Sequence, residues 1–112
     1  MYKIEKSYGD RKKEALNMTN KYTDLVPIIV EPKNNRIAQI DKRKYMVPKD
    51  LLFGQLIYVI RTRMRLSKDA ALFVFAGSQI ILASSIVGDV YEKFKDEDGF
   101  LYVVYDFENI FG

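Results

Sequence analysis

The chain has 112 residues, 48% of them hydrophobic, and holds 18 Lys or Arg against 15 Asp or Glu, for a formal net charge of +3. This length and composition predict one globular domain with a modest core. Because it contains no Cys and no His, the sequence excludes a Cys–His nucleophile, a histidine general base and an ordinary zinc site, and it disfavours an enzyme.

The chain begins with a polar segment. Residues 1–14 lack the apolar stretch of a signal peptide, and no apolar run reaches the length of a membrane-spanning helix. Together with the absence of Cys, these features predict a cytosolic or nuclear protein. Residues 10–22 are then predicted to form a weakly apolar surface helix, because Ala15, Met18 and Tyr22 fall on one face.

Two short strands follow this helix. Residues 26–31 form an apolar run rich in β-branched side chains, with a proline near its start, where proline is tolerated in a strand. Residues 44–48 are predicted to form the second strand. Because the two strands are close in sequence, we expect them to pair as a hairpin.

A core helix and two further strands are predicted next. The helix lies within residues 50–66, with Asp50 as a possible N-cap and three arginines near its C-terminal end, where cations favour the helix dipole. Short strands are predicted at 71–75 and 79–82. The apolar stripe of the helix consists of Phe53, Leu56, Val59, Ile60 and Met64.

The last two elements are a second core helix and a final strand. Residues 84–94 are predicted to be helical, with Ser84 or Ser85 as the cap. A polar turn leads to the final strand at 100–107. The apolar stripe of this second helix consists of Ile86, Val87, Val90, Tyr91 and Phe94.

The order of elements indicates the fold class. A helix is followed by strand–strand–helix–strand–strand–helix–strand, and runs this short predict one mixed sheet with the helices packed on one face. This is an α+β layer arrangement. The apolar centre of the final strand predicts that it lies in the middle of the sheet, buried on both faces.

Two long and chemically irregular stretches make the sequence specific. Residues 40–64, IDKRKYMVPKDLLFGQLIYVIRTRM, and residues 95–112, KDEDGFLYVVYDFENIFG, closely resemble the GABARAP-type autophagy-related ubiquitin-like modifiers. The resemblance extends over residues 8–112. It implies a ubiquitin-like β-grasp fold, with an N-terminal helical extension over residues 1–24 and a ubiquitin-like domain with a C-terminal tail over residues 25–112.

The resemblance implies a modifier with a functional C-terminal glycine. Similar proteins are joined through such a glycine to the amino group of phosphatidylethanolamine, and Gly112 stands at that position. Glycine suits this role because a residue without Cβ passes through narrow enzyme channels, and a two-chain lipid gives stable anchoring. The alternative is a chain that merely stops there. The implied partners are a processing cysteine protease, activating and conjugating enzymes, and phosphatidylethanolamine in autophagosome or vacuolar membranes; no cofactor is implied.

The second activity implied by the resemblance is binding of short aromatic–x–x–aliphatic peptides of cargo receptors and adaptors. The peptide would add as a strand to the exposed edge at 42–47, and two pockets would take its anchors. By motif position, the aromatic pocket would be lined by Glu14, Met18, Pro27, Ile29, Lys44, Met46 and Phe100. The aliphatic pocket would use Tyr45, Val47, Pro48, Leu51, Leu56 and Val59. Acidic residues that flank such peptides would be attracted by Lys42, Lys44 and Arg63.

These residues also have a purely structural interpretation. Ile29, Leu56 and Val59 would ordinarily be core residues that only touch a pocket. The cations of the edge segment would ordinarily serve to block aggregation between sheet edges. Both roles are compatible, since a charged edge can repel a second sheet and still accept a peptide.

The charge distribution supports a rival function. Residues 1–65 hold 15 Lys or Arg and 7 Asp or Glu, a balance of +8, whereas residues 66–112 hold 3 and 8, a balance of −5. The basic half leaves open a module that binds anionic lipid or nucleic acid, but no RNA-recognition motif accompanies it, and nucleic acid is not an expected partner. A third hypothesis is a peptide-binding adaptor that is never conjugated. The protein is expected to be a monomer in solution.

Overall fold

The structure, a computed structural model, describes residues 1–109. Within these residues one mixed sheet is built from β1 (Leu25–Pro32), β2 (Lys44–Pro48), β3 (Ala70–Ala76), β4 (Gln79–Ile80) and β5 (Leu101–Asn109). The helices in the same residues are α1 (Tyr2–Glu5), α2 (Tyr8–Lys21), α3 (Phe53–Met64) and α4 (Val87–Phe94). None of these helices has the length and apolar character needed to cross a bilayer.

The strands lie in the order β2-β1-β5-β3-β4. β1 pairs antiparallel with β2 and parallel with β5, and β5 pairs antiparallel with β3. The predicted hairpin and the central position of the final strand are therefore confirmed. The strand predicted at 79–82 is too long, because β4 ends at Ile80 and the Leu82 carbonyl already accepts a turn hydrogen bond from the Ser85 N–H at 3.0 Å.

Both faces of the sheet are covered by helices. Ile28 of β1 is fully buried in the main core, together with Phe53 of α3 and Val87 of α4. Its neighbour Ile29 faces the other way and packs with Ala15 of α2 in a second cluster. The prediction of helices on one face is therefore confirmed for α3 and α4 and wrong for α2, because β1 is apolar on both of its faces.

The two core helices lack side-chain N-caps. Leu52 and Ile86 occupy the N-cap positions of α3 and α4, and neither side chain makes a capping hydrogen bond. The predicted caps Asp50, Ser84 and Ser85 are therefore wrong. Leu52 and Ile86 instead form an isolated antiparallel bridge, which brings the two helix starts side by side.

Each of these helices is capped by the backbone of the loop that precedes the other. The free N–H groups of a first helical turn need such acceptors. The bonds run from Phe53 N to Ser85 O (2.7 Å), from Gly54 N to Ala83 O (2.9 Å), from Val87 N to Leu51 O (2.8 Å) and from Gly88 N to Lys49 O (2.9 Å). A Cβ on either glycine would come within 3.1 Å of the facing loop, so glycine at both positions permits this close approach without crowding.

Candidate functional site

The outer strand β2 offers a hydrogen-bonding edge. It pairs with β1 and lies at the end of the sheet. Pro27, which has no N–H, stands opposite Met46, and Ile29 stands opposite Lys44. Because the Val30 N–H donates to the Arg43 carbonyl at 2.7 Å, the antiparallel alternation turns the N–H and C=O groups of Lys44 and Met46 away from β1. This edge can accept an added strand.

The pleat of β2 separates the residues of the two predicted pockets. Lys44 and Met46 are half-buried on the face of the sheet that α2 covers, opposite Ile29. Tyr45 and Val47 alternate with them and belong to the main core beneath α3 and α4. The strand therefore places Lys44 and Met46 on one face of the sheet and Tyr45 and Val47 on the other.

On the α2 side, an open hollow borders the edge. Of the residues predicted to line the aromatic pocket, Glu14, Met18 and Lys44 surround this hollow. Met18 also packs against the cluster that contains Ile29 and Phe100, both fully buried. The other walls of the hollow come from Asp10, Lys13 and Asn17, and the two remaining predicted residues are Pro27, which is buried, and Met46.

A buried ion pair, supported by a hydrogen bond, holds α2 against the sheet and so positions the hollow. Arg11 Nη1 lies 2.5 Å from Asp98 Oδ2, and the Tyr102 hydroxyl donates to the same oxygen at 2.5 Å. Burial and the hydrogen bond to Asp98 raise the pKa of Tyr102. The helix begins earlier than predicted, since the Ser7 side chain caps it by accepting from the Asp10 N–H at 3.1 Å.

Tyr2, the first residue of α1, was not among the predicted site residues. Its side chain is 1% exposed, and its ring meets that of Phe100 edge-on, with 5.5 Å between centroids. Its hydroxyl donates to Glu14, and Lys44 Nζ lies 5.3 Å from its ring centroid. An aromatic side chain of the protein itself thus contacts three predicted pocket residues. A helix of four residues is too short to show an apolar periodicity in the sequence, so no pattern indicated that Tyr2 is buried.

The backbone of Tyr2 is held by a buried carboxylate. Glu31 of β1 is 5% exposed, and its Oε2 accepts from the Tyr2 N–H at 2.6 Å. Burial raises the pKa of this carboxyl group. Glu5 at the end of α1 accepts from Arg43 Nη1 and Nη2 at 2.5 and 2.8 Å, and this pairing lowers the pKa of Glu5 to about 2. The segment before α2 is therefore anchored to β1 and to the residue preceding β2.

The residues predicted for the aliphatic pocket divide into core and surface. Tyr45, Val47 and Leu56 are each less than a tenth exposed and lie in the main core. Leu51 is half-buried against that core, whereas the other two predicted residues, Pro48 and Val59, are exposed. The assignment of Val59 to the apolar stripe of α3 is wrong, because its side chain is 37% exposed while the neighbouring Ile57 packs against the core.

The cations at this edge have internal partners. Lys44 Nζ lies 2.7 Å from Glu14 Oε2, and Arg63 Nε lies 3.0 Å from Asp41 Oδ1. Lys42 makes no ion pair within residues 1–109, and its Nζ sits 5.0 Å from the Tyr45 ring centroid. Of the three cations predicted to attract acidic residues, two are therefore already neutralised.

Comparison with known proteins identifies relatives along nearly the whole chain. The family model described as "Autophagy protein Atg8 ubiquitin like" matches residues 10–112. Autophagy-related protein 8 of Neurospora crassa is 45% identical over 112 residues, which cover 99% of this chain and 93% of that protein. Autophagy-related protein 8e of Arabidopsis thaliana is 43% identical over 113 residues, covering 100% of this chain and 93% of that protein.

Solved structures share the fold. The crystal structure of Trypanosoma brucei ATG8 superposes with a TM-score of 0.89 at 38% identity, covering 99% of this chain and 97% of that one. Plasmodium falciparum Atg8, solved in complex with a Plasmodium falciparum Atg3 peptide, superposes with a TM-score of 0.86 at 26% identity, covering 95% of this chain and 94% of that one. The ubiquitin-like fold implied by the sequence is confirmed.

Proposed function

This chain belongs to the Atg8 family of ubiquitin-like autophagy proteins, and from that premise we propose that it is conjugated through Gly112 to phosphatidylethanolamine on autophagic membranes. The family match runs through Gly112, which lies outside the described residues. The modifier supplies the acyl group, and separate activating and conjugating enzymes carry out the transfer. A cysteine protease would first expose the glycine where further residues follow it.

The second part of the proposal is recognition of aromatic–x–x–aliphatic peptides at β2. The observation that carries it is the outward row of N–H and C=O groups at Lys44 and Met46, beside the hollow lined by Glu14 and Met18. A peptide strand would gain main-chain hydrogen bonds there and place its aromatic anchor on the α2 side. Cargo receptors and adaptors would carry such segments.

A conjugating enzyme is a further proposed partner. The Plasmodium relative was solved with an Atg3 peptide, and we extend that kind of partner to this chain. The rival function, nonspecific binding of anionic lipid or nucleic acid, is weakened by the pairing of Lys44 and Arg63 with the chain's own carboxylates, since paired cations contribute less to a general positive field. We place the protein in the cytoplasm, as a monomer, and on autophagosome or vacuolar membranes once lipidated.

We further propose that the N-terminal helices act as an extension, residues 1–24, on a ubiquitin-like domain at 25–112. The extension would supply one wall of the peptide site through Glu14 and Met18, and the domain would supply the edge strand. A chain that lacks the extension would then keep the edge but lose the aromatic wall.

Reconstituted conjugation tests the proposal. The protein is incubated with the activating and conjugating enzymes of its own cells, ATP and liposomes that contain phosphatidylethanolamine, and the products are analysed by mass spectrometry. We expect a mass increase of one phosphatidylethanolamine, placed on Gly112 by fragmentation, and none for Gly112→Ala. Lipidation of the Gly112→Ala protein would refute conjugation through this residue, and peptide binding without any lipidation would favour the adaptor.

A further inference from the structure

Three cations along the β2 edge are bound by carboxylates of the chain itself. These carboxylates come from α1, from α2 and from the loop that precedes β2. The pairs are Arg43 with Glu5, Lys44 with Glu14, and Arg63 with Asp41. An acidic ligand that approaches this edge therefore has to compete with anionic groups that already occupy it.

The pairs differ in how easily the carboxylate can be displaced. Glu14 is held by several donors, because its carboxylate also accepts from the Tyr2 hydroxyl and from Lys6 Nζ at 3.2 Å, and its side chain is 25% exposed. The Asp41 side chain is 67% exposed, so it returns to water at little cost when Arg63 turns to another anion. Exchange of partners is therefore easier at Arg63 than at Lys44.

Asp41 is nevertheless well placed to compete. Its Oδ1 accepts from the Lys42 backbone N–H at 2.8 Å and from Arg63 Nε at 3.0 Å, while its Oδ2 lies 3.3 Å from Arg63 Nη2. The local bond to Lys42 keeps the carboxylate beside Arg63 and maintains its effective concentration there. A ligand with one loosely placed acid gains little against such a neighbour, whereas a ligand with several acids gains more.

We propose that Asp41 is a specificity-determining residue of the peptide site, an internal competitor that neutralises Arg63 until a ligand brings acidic groups of its own. This inference rests on the proposed peptide-binding function. It assigns a role to a residue for which the family resemblance implied none. Its consequence is that the edge prefers ligands with several acidic residues. A ligand must displace the Asp41 carboxylate before it can form an ion pair with Arg63.

Two peptides and four variants test this role. Both peptides carry the aromatic–x–x–aliphatic motif; one has three Glu residues before the aromatic residue and the other has three Gln residues. The variants are Asp41→Asn, Arg63→Gln, the double variant, and Asp69→Asn as a matched control. Asp69 is exposed and makes no ion pair within residues 1–109. Asp69→Asn changes the net charge by the same amount as Asp41→Asn. Dissociation constants are measured at low salt, and thermal midpoints verify folding.

For Asp41→Asn we expect the Glu peptide to bind about threefold to fivefold tighter, the scale of one exposed ion pair, and the Gln peptide to bind as before. Asp69→Asn should leave the ratio of the two affinities unchanged. Arg63→Gln should lower the preference for the Glu peptide, and the double variant should not regain it.

The outcomes separate this inference from the function on which it rests. If neither peptide binds the wild-type protein, the peptide site itself is wrong and the role of Asp41 falls with it. If both bind and Asp41→Asn leaves their ratio unchanged, only the role of Asp41 is overturned. Equal gains for Asp41→Asn and Asp69→Asn would assign the effect to net charge and would also overturn it.

Discussion

The ring of Tyr2 packs edge-on against the ring of Phe100, 5.5 Å apart between centroids. The contact joins α1 to the residue that precedes the central strand. Because the Tyr2 hydroxyl also reaches Glu14, one side chain connects the start of the chain, the helix α2 and the sheet. The segment before α2 is thus part of the folded unit and not a loose tail.

Replacing Tyr2 should therefore destabilise the protein. Tyr2→Ala removes a fully buried ring, and we expect a loss of about 3 kcal/mol in the free energy of unfolding. Tyr2→Phe keeps the ring and loses only the bond to Glu14, so it should cost about 1 kcal/mol. Urea denaturation measures both values. Equal losses for the two variants would contradict the importance of ring packing.

The glycines at the starts of α3 and α4 permit a test with a matched control. Gly54, Gly88 and Gly9 all occupy the second position of their helices, but among these three only Gly9 has open space where a Cβ would stand. Replacing Gly54 or Gly88 with Ala should destabilise the fold by about 1–3 kcal/mol through overpacking. Gly9→Ala should be neutral or stabilise it by up to about 1 kcal/mol. Thermal denaturation compares the three, and a neutral Gly88→Ala would argue against the close approach to Lys49.

Peptide binding should depend on Met46 and Lys44 in different ways. Met46→Asp places a carboxylate beside the peptide's aromatic anchor, and we expect micromolar binding to weaken by at least tenfold, consistent with loss of a hot-spot contact of about 2 kcal/mol. Lys44→Glu should weaken binding of an acidic peptide by reversing a charge at the edge, and this loss of affinity should shrink at high salt. Titration calorimetry at two salt concentrations distinguishes them. Wild-type affinity in Met46→Asp would place the aromatic anchor elsewhere.

Glu31 should make stability depend on pH. Because its pKa is raised in the folded protein by burial, its contribution to stability is fully present below the unfolded value near 4.5 and is lost as pH rises through the folded pKa. Glu31→Gln can still accept from the Tyr2 N–H and carries no charge. We expect this variant to be more stable than the wild type at neutral pH and equal to it below the unfolded pKa. Denaturation curves from pH 3 to 8 measure the difference, and a constant gap across that range would contradict the assignment.

The sheet was predictable from residue patterns and its free edge from the family resemblance, whereas the start of the chain was not predictable. The apolar runs of β1 and β5 and the stripe of α4 depend on local periodicity, which a single sequence records. α1 depends on Tyr2 meeting Phe100 and on Glu31 accepting a backbone bond from 29 residues away. No short-range pattern encodes contacts of this kind.

The helix caps show the same limit. Asp50, Ser84 and Ser85 are residues of the right type near the right positions, yet the caps of α3 and α4 come from loop carbonyls. Every residue has a backbone carbonyl, so residue type does not reveal which carbonyl caps a helix. Gly54 and Gly88 are the residues that reflect the close approach of the two loops. The predicted site residues came from the family resemblance, and the pairing of Arg63 with Asp41 could not be inferred because it depends on loop geometry.

The central position of β5 has a consequence for synthesis. β5 follows every other described strand in the chain, yet it is the strand that joins β1 to β3. While the nascent chain is still on the ribosome, with residues 101–109 inside the exit tunnel, β1 with its hairpin partner and β3 with β4 have no common neighbour. The sheet can therefore form completely only after β5 has left the tunnel, and the two hairpins remain separate until then. During this time the edges of β1 and β3 that β5 later covers are exposed and available to chaperones.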